Sequence, residues 1–167
     1  MCFVQNGNAR GIVFDEDLVM LDLNATSRDD VLEKMGQRLF DRGYVNGDFV
    51  HAIIQREQDF PTGIETQRMG VAIPHTDTIY VKQASILVGV LAQPVIFKQM
   101  VSDDDIAVNI VFMLAIKEPE EQLAMLQRLV DIIQDDSALN GILNATSELE
   151  IASIVRAKLG DEIRICS

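Results

Sequence analysis

His75 is the residue whose setting most clearly suggests chemistry. It ends the stretch GVAIPH at residues 70–75, where Pro74 fixes its own φ and favours an extended conformation at Ile73. Gly70 permits a bend or a close approach of the backbone just before that. The sequence therefore predicts an imidazole presented in a defined direction at the end of a strand or loop. On these residues alone, it could be a base, a metal ligand, a nucleophile or a structural histidine.

Motifs that would support other chemistries are missing from the sequence. There is no glycine-rich phosphate loop and no GxSxG motif, and neither Cys2 nor Cys166 has a plausible base nearby. His51 is 24 positions from His75 and falls within a helical pattern, where a structural or exposed role is expected. We therefore predict no cofactor and no metal, which favours the nucleophile. An imidazole can accept a phosphoryl group if its other N–H is held and donors stabilise the phosphoryl oxygens.

Apolar periodicity predicts an α/β fold with a mixed β-sheet sandwiched between helices. The predicted strands are 18–23, 84–91, 95–97 and 106–115, and the predicted helices are 27–43, 47–58, 119–133, 137–143 and 147–160. The strand at 106–115 should be central because it is apolar on both faces. We assign residues 1–14 to an arm or edge strand, 15–160 to a single domain and 161–167 to a C-terminal tail.

The charge balance limits the classes of partner. The 167 residues carry a formal net charge of −12, so the surface should repel nucleic acids and anionic lipids and suit a basic protein. Residues 103–105, three aspartates, are predicted to form a solvated loop, with a divalent-cation site as the remote alternative. The longest apolar run is too short to span a bilayer and no secretory signal is apparent, so we expect a cytoplasmic location.

Two motifs occur in an order that is specific for one family. Residues 56–64 read REQDFPTGI and precede GVAIPH, and further similarity lies in VIF at 95–97 and VNIVFMLAI at 108–116. The sequence resembles the fructose/mannitol-type enzyme IIA family of the bacterial phosphotransferase system over roughly residues 18–159. The resemblance implies a cytoplasmic phosphocarrier that takes a phosphoryl group from phospho-HPr and passes it to an enzyme IIB. Membrane association would then occur only through the IIB/IIC complex.

The resemblance also implies roles for individual residues. The family's active-site histidine matches His75, the phosphoryl carrier, and its active-site arginine matches Arg56, whose guanidinium could grip phosphate oxygens. Without the resemblance, Arg56 would be interpreted as a surface residue paired with Glu57 or Asp59. Thr62 could offer its hydroxyl to the phosphate or to the imidazole, or could stabilise a turn.

Position 122 departs from the family pattern. Many members have a second histidine at the start of the helix that follows the central strand, where this sequence has Gln122. A glutamine amide can donate a hydrogen bond to phosphate but cannot carry the charge of an imidazolium. This substitution, together with FPTGI, most resembles the galactitol-specific branch. Two other functions stay open: a regulatory module like the nitrogen-type enzyme IIA, and an interaction domain that does not transfer phosphoryl groups.

Overall fold

Seven strands form one mixed sheet in the computed structural model, which describes residues 11–160 and 163–164. The strands are β1 (Ile12–Val13), β2 (Val19–Leu23), β3 (Gly63–Glu65), β4 (Gly70–Ala72), β5 (Ser85–Lys98), β6 (Asp105–Ala115) and β7 (Ile163–Arg164). The order is β3-β4-β6-β5-β1-β7, and β2 also pairs with β5. The β3–β4 and β5–β6 pairs are antiparallel and the others are parallel.

Five helices accompany the sheet within the described residues. They are α1 (Arg28–Asp41), α2 (Phe49–Asp59), α3 (Pro119–Ile133), α4 (Asp136–Asn144) and α5 (Glu148–Leu159). Helix α1 packs on α2 and β5, whereas α3, α4 and α5 pack on one another and α5 also contacts β2. Residues 110–116 are all buried, so both faces of β6 are covered. This confirms the predicted α/β fold and the central position of β6. None of these helices has the length and apolar character needed to cross a bilayer.

Local signals in the sequence explain where the helices begin and end. The Ser27 and Ser147 side chains accept hydrogen bonds from the first turns of α1 and α5, and Pro119 is the first residue of α3. Gly43 and Gly160 follow the ends of α1 and α5 with φ of 77° and 73°, a region that favours glycine. These boundaries match the predicted ones closely.

Residues 84–91 and 95–97 do not form two strands as predicted. They belong to the single strand β5, which pairs with β6 on both sides of an irregularity between Val90 and Val95. Pro94 lies within that irregularity and is exposed. A proline has no N–H to donate, but it is tolerated where the ladder is already interrupted. The prediction was wrong because it treated Pro94 as the end of a strand.

Strands that the sequence did not clearly indicate lie near both ends of the described part of the chain and in the segment before His75. Strand β1 lies within the predicted arm or edge strand but is flanked by β5 and β7, so it is not at an edge. Strand β7 lies within the predicted tail. Strands β3 and β4 have three residues each, too few for a periodic pattern. Residues 1–10, with Cys2, and also Cys166 lie outside the described residues, and the domain boundaries stay predictions.

Candidate phosphoryl-transfer site

His75 follows directly after a strand that is held by the centre of the sheet. Strand β4 pairs in parallel with β6, and the Leu114 N–H donates to the Pro74 carbonyl oxygen at 3.0 Å, which extends the pairing to the residue before His75. A Cβ at Gly70 would lie 2.2 Å from the Ala107 carbonyl oxygen. The glycine is therefore needed for close approach of the two backbones, as the sequence suggested.

The imidazole of His75 is half-buried and held in one tautomer. Its Nδ1 lies 2.8 Å from the Ile73 carbonyl oxygen. Because a carbonyl can only accept, Nδ1 must carry the proton, which leaves the lone pair on Nε2 free. Burial lowers the pKa of His75 below its ordinary value, the Ile73 hydrogen bond opposes this, and the Arg56 charge adds to the lowering. The ring is thus neutral near pH 7, the state that a nucleophile requires.

The guanidinium of Arg56 is available for an anion. Arg56 lies in the last turn of α2, and its Cζ is 4.3 Å from the centre of the Phe60 ring, a cation–π contact. Among the described residues it forms no salt bridge with Glu57 or Asp59, whose carboxylates accept hydrogen bonds from other side chains. The interpretation of Arg56 as a paired surface arginine is therefore not supported by this geometry.

Thr62 lies beside the site rather than in it. Its N–H and hydroxyl donate to the two carboxylate oxygens of Glu57, each at 2.8 Å, and its Oγ1 accepts from the Ile73 N–H at 3.2 Å. Thr62 therefore holds Ile73, whose carbonyl holds His75. The expected hydroxyl contact with phosphate or imidazole is replaced by this structural role, because the single hydroxyl proton is already donated to Glu57. Burial raises the pKa of Glu57, and the hydrogen bonds from Thr62 oppose that rise.

A cleft of about 250 Å³ opens over His75. The residues that line it are Arg56, His75, Thr76, Asp77, Pro119, Gln122, Leu123 and Leu126. Gln122 lies in the first turn of α3, so α2, α3 and the segment after β4 each contribute polar side chains. The structure thus brings together three of the four expected site residues, His75, Arg56 and Gln122. The sequence interpretation missed Thr76, although a hydroxyl directly after a candidate nucleophile was a usable signal.

The surroundings of the cleft combine acidic and apolar side chains. Asp77, which lines the cleft, is exposed, as are Glu118 and Glu120 on either side of the lining residue Pro119 in the sequence. Leu123, which lines the cleft, is 62% exposed, and Phe60, which contacts Arg56, is 59% exposed. An exposed apolar set with a charged rim is typical of a protein interaction surface. The described residues contain no group of three or more histidine, cysteine, aspartate or glutamate side chains that could hold a metal ion.

Comparison with known proteins places this chain within one family. The family model described as "Phosphoenolpyruvate-dependent sugar phosphotransferase system, EIIA 2" matches residues 12–158. The chain belongs to this family. Its members are components of a phosphotransferase system, which confirms the resemblance noted in the sequence.

Individual relatives of this EIIA 2 chain agree with the assignment. The galactitol-specific EIIA component of Escherichia coli is 31% identical over 121 residues, which cover 72% of this chain and 81% of that protein. Two solved structures share the fold. The Escherichia coli complex of enzyme IIAMTL and phosphorylated enzyme IIBMTL aligns at 19% identity with a TM-score of 0.73, covering 86% and 97% of the two chains. IIA-Ntr of Neisseria meningitidis aligns at 23% identity with a TM-score of 0.72, covering 85% and 95%.

Proposed function

We propose that this chain is a phosphocarrier that accepts a phosphoryl group from phospho-HPr on Nε2 of His75 and passes it to an enzyme IIB. The observation that carries the proposal is the hydrogen bond from His75 Nδ1 to the Ile73 carbonyl, which leaves Nε2 as the free nitrogen in a cleft shared with Arg56. Family membership supports the same class of reaction. We include a cytoplasmic location in the proposal, with membrane association only through the IIB/IIC complex.

The transfer needs only a neutral imidazole and donors for the phosphoryl oxygens. The Nε2 lone pair of His75 attacks the phosphorus of phospho-HPr, the new P–N bond forms, and the electron pair of the broken P–N bond returns to the donor histidine. His75 keeps its Nδ1 proton, hydrogen-bonded to Ile73. In the second half-reaction a nucleophile of the IIB attacks the same phosphorus, and the electron pair returns to Nε2. Each half-reaction exchanges one phosphorus bond for another without oxidation or reduction.

Arg56 and Gln122 are the proposed donors to the phosphoryl group. The transferring group spreads negative charge over its three peripheral oxygens, and donors fixed in advance stabilise that charge. The guanidinium can bind two oxygens at once. The amide of Gln122, on α3, can donate one further hydrogen bond. We infer that Gln122 replaces the second histidine of other family members without supplying its charge.

The acceptor and the sugar are inferred from relatives. The solved complex of a mannitol-type IIA with phosphorylated IIB supports an enzyme IIB as acceptor, and the galactitol-specific relative favours galactitol as the transported sugar. A regulatory role is the alternative, because IIA-Ntr of Neisseria meningitidis, a nitrogen regulatory protein, has the same fold. The site chemistry would be the same in both roles, so the acceptor distinguishes them.

Phosphorylation in vitro tests the proposal. The chain is incubated with phosphoenolpyruvate, enzyme I and HPr, and we expect an acid-labile, base-stable phosphate on His75, located by mass spectrometry. His75→Gln should take up none, while His51→Gln, which changes an exposed histidine of α2, should behave like the parent. Addition of a galactitol-type IIB should then remove the label. A parent chain that stays unlabelled would refute the phosphocarrier. Labelling without transfer to any IIB tested would favour the regulatory role.

A further inference from the structure

Thr76 is a largely buried residue that directly follows His75 in the sequence. The residue is only 8% exposed and lies in the wall of the cleft that His75, Arg56 and Gln122 share. Among the described residues the hydroxyl has no hydrogen-bond partner, yet its oxygen is not one of the fully buried polar atoms without a partner. The oxygen is therefore accessible to solvent, and Thr76 is one of the residues that line the cleft.

We propose that the Thr76 hydroxyl donates a hydrogen bond to a peripheral phosphoryl oxygen during transfer to and from His75. This role rests on the proposed phosphocarrier function and adds a catalytic residue to it. The sequence had suggested Thr62 for such a contact, but the hydroxyl proton of Thr62 is donated to Glu57. Of Thr62 and Thr76, only Thr76 lines the cleft.

The arrangement of donors around the cleft supports this role. A phosphoryl group has three peripheral oxygens, and the cleft offers three kinds of donor from three elements: the guanidinium of α2, the amide of α3 and the hydroxyl that follows β4. The neutral hydroxyl stabilises developing charge without adding a positive charge that would hold the phosphoryl group too firmly to pass on. The hydroxyl keeps its proton, so the P–N bonds made and broken are those already described.

Matched variants separate the hydroxyl from the packing of the side chain. Thr76→Val keeps the shape and removes the hydroxyl, Thr76→Ser keeps the hydroxyl, and Thr78→Val removes a nearby hydroxyl that does not line the cleft. The rate of label transfer from phospho-HPr to each chain is measured by rapid quench. We expect a decrease of about a hundred- to a thousandfold for Thr76→Val, the range seen when one donor to a developing oxyanion is lost, and near-parent rates for Thr76→Ser and Thr78→Val.

A second pair of variants keeps the role of Thr76 testable if Thr76→Val does not fold. Thr76→Ala and Thr76→Ser form another pair that differs by a hydroxyl, and the ³¹P chemical shift of the phosphohistidine should move in Thr76→Ala but not in Thr76→Ser. Transfer by Thr76→Val within twofold of the parent would overturn the role of Thr76 and leave the phosphocarrier intact, because His75 would still be labelled. Equal losses in the serine and alanine variants would also overturn it. A parent chain that takes up no label would refute the proposed function and this role together.

Discussion

Arg56 and His75 share one cleft, and among the described residues Arg56 has no salt-bridge partner, which suits the proposed binding of a phosphoryl group. An Arg56 engaged in a salt bridge would have to break it each time a phosphoryl group arrived. Its contact with the Phe60 ring can orient the guanidinium without occupying a hydrogen-bond donor. The lowered pKa of His75 favours the neutral ring, the form that the proposed transfer requires.

The titration of His75 tests this electrostatic setting. We expect an NMR titration to give His75 a pKa below 6.5, and Arg56→Gln to raise it part of the way back, because burial is the larger cause and the arginine a smaller one. The lowered pKa of His75 also determines how its contribution to stability depends on pH. Because the folded-state pKa is below the unfolded one, the contribution of His75 is full above pH 6.5 and is lost as the pH falls through the folded-state value.

The same titration has a control in the chain. Arg68→Gln removes an exposed arginine that does not line the cleft and should leave the pKa of His75 unchanged. A pKa of His75 at or above the ordinary histidine value would contradict the buried, neutral imidazole. An equal response to the two arginine substitutions would show that net charge, rather than the placement of Arg56, sets the pKa.

At the scale of elements, hydrogen bonds join the end of α2 to the end of β4. Glu57 on α2 accepts both donors of Thr62, and the Thr62 hydroxyl accepts the Ile73 N–H. Arg56 and His75 are therefore fixed relative to each other through their own neighbours in the sequence. A buried carboxylate of this kind depends on its hydrogen bonds, since burial disfavours its charged form.

Removal of the Thr62 hydroxyl should weaken this connection. We expect Thr62→Val to lower the free energy of unfolding by about 1–3 kcal/mol, because Glu57 and the Ile73 N–H each lose a buried partner. Thr62→Ser keeps the hydroxyl and should be close to the parent. Urea unfolding followed by circular dichroism measures both. Unchanged stability in the valine variant would mean that Glu57 does not rely on this hydroxyl.

A second prediction concerns Gly70, where the backbones of β4 and β6 approach closely. Gly70→Ala would place a Cβ against the Ala107 carbonyl, so we expect a loss of about 1–3 kcal/mol in the free energy of unfolding and slower phosphorylation of His75. Gly47→Ala is the matched control, because its Cβ would meet only the Phe40 ring at 3.8 Å, an ordinary contact. If the two alanine variants unfolded alike, close approach at Gly70 would not be the reason for that glycine.

How well each helix or strand could be predicted from the sequence depended on its length and on local signals such as caps, prolines and glycines. Helices α1, α3 and α5 were predicted well because each combines an apolar stripe with a cap, a proline or a glycine. Strands β3 and β4 are fixed by pairing with distant residues, which a short segment does not reveal. The motifs predicted His75 and Arg56, which line one cleft, but they could not tell that Thr76 rather than Thr62 lines it. That choice depends on Glu57, whose burial appears only after α2 and β3 are packed.

At the scale of the whole molecule, the negative charge should govern association. The chain carries a net charge of −12, and exposed carboxylates lie near the rim of the cleft. A partner that presents basic residues would be attracted over a distance comparable with the Debye length, about 10 Å at 0.1 M salt. The apolar side chains at the rim would then supply contacts that do not depend on salt.

Binding at different salt concentrations separates the electrostatic contribution to association from that of the apolar contacts. We expect the dissociation constant for HPr to rise roughly tenfold between about 0.05 and 0.5 M sodium chloride, mainly through slower association. Glu120→Gln should reduce the salt dependence, whereas Glu33→Gln, an exposed change on α1, should alter it less. Isothermal titration calorimetry and stopped-flow kinetics measure these effects. A dissociation constant that does not change with salt would contradict electrostatic docking.

The hydrogen bond to the Ile73 carbonyl should also determine which nitrogen of His75 is phosphorylated. In synthetic chemistry, an imidazole is derivatised at a chosen nitrogen by masking the other with a protecting group. The Ile73 carbonyl, at 2.8 Å from Nδ1, masks that nitrogen reversibly by hydrogen bonding. Phosphorylation should therefore give a single regioisomer. Every phosphoryl group would then leave along the same direction through the mouth of the cleft, so an acceptor could use one fixed approach.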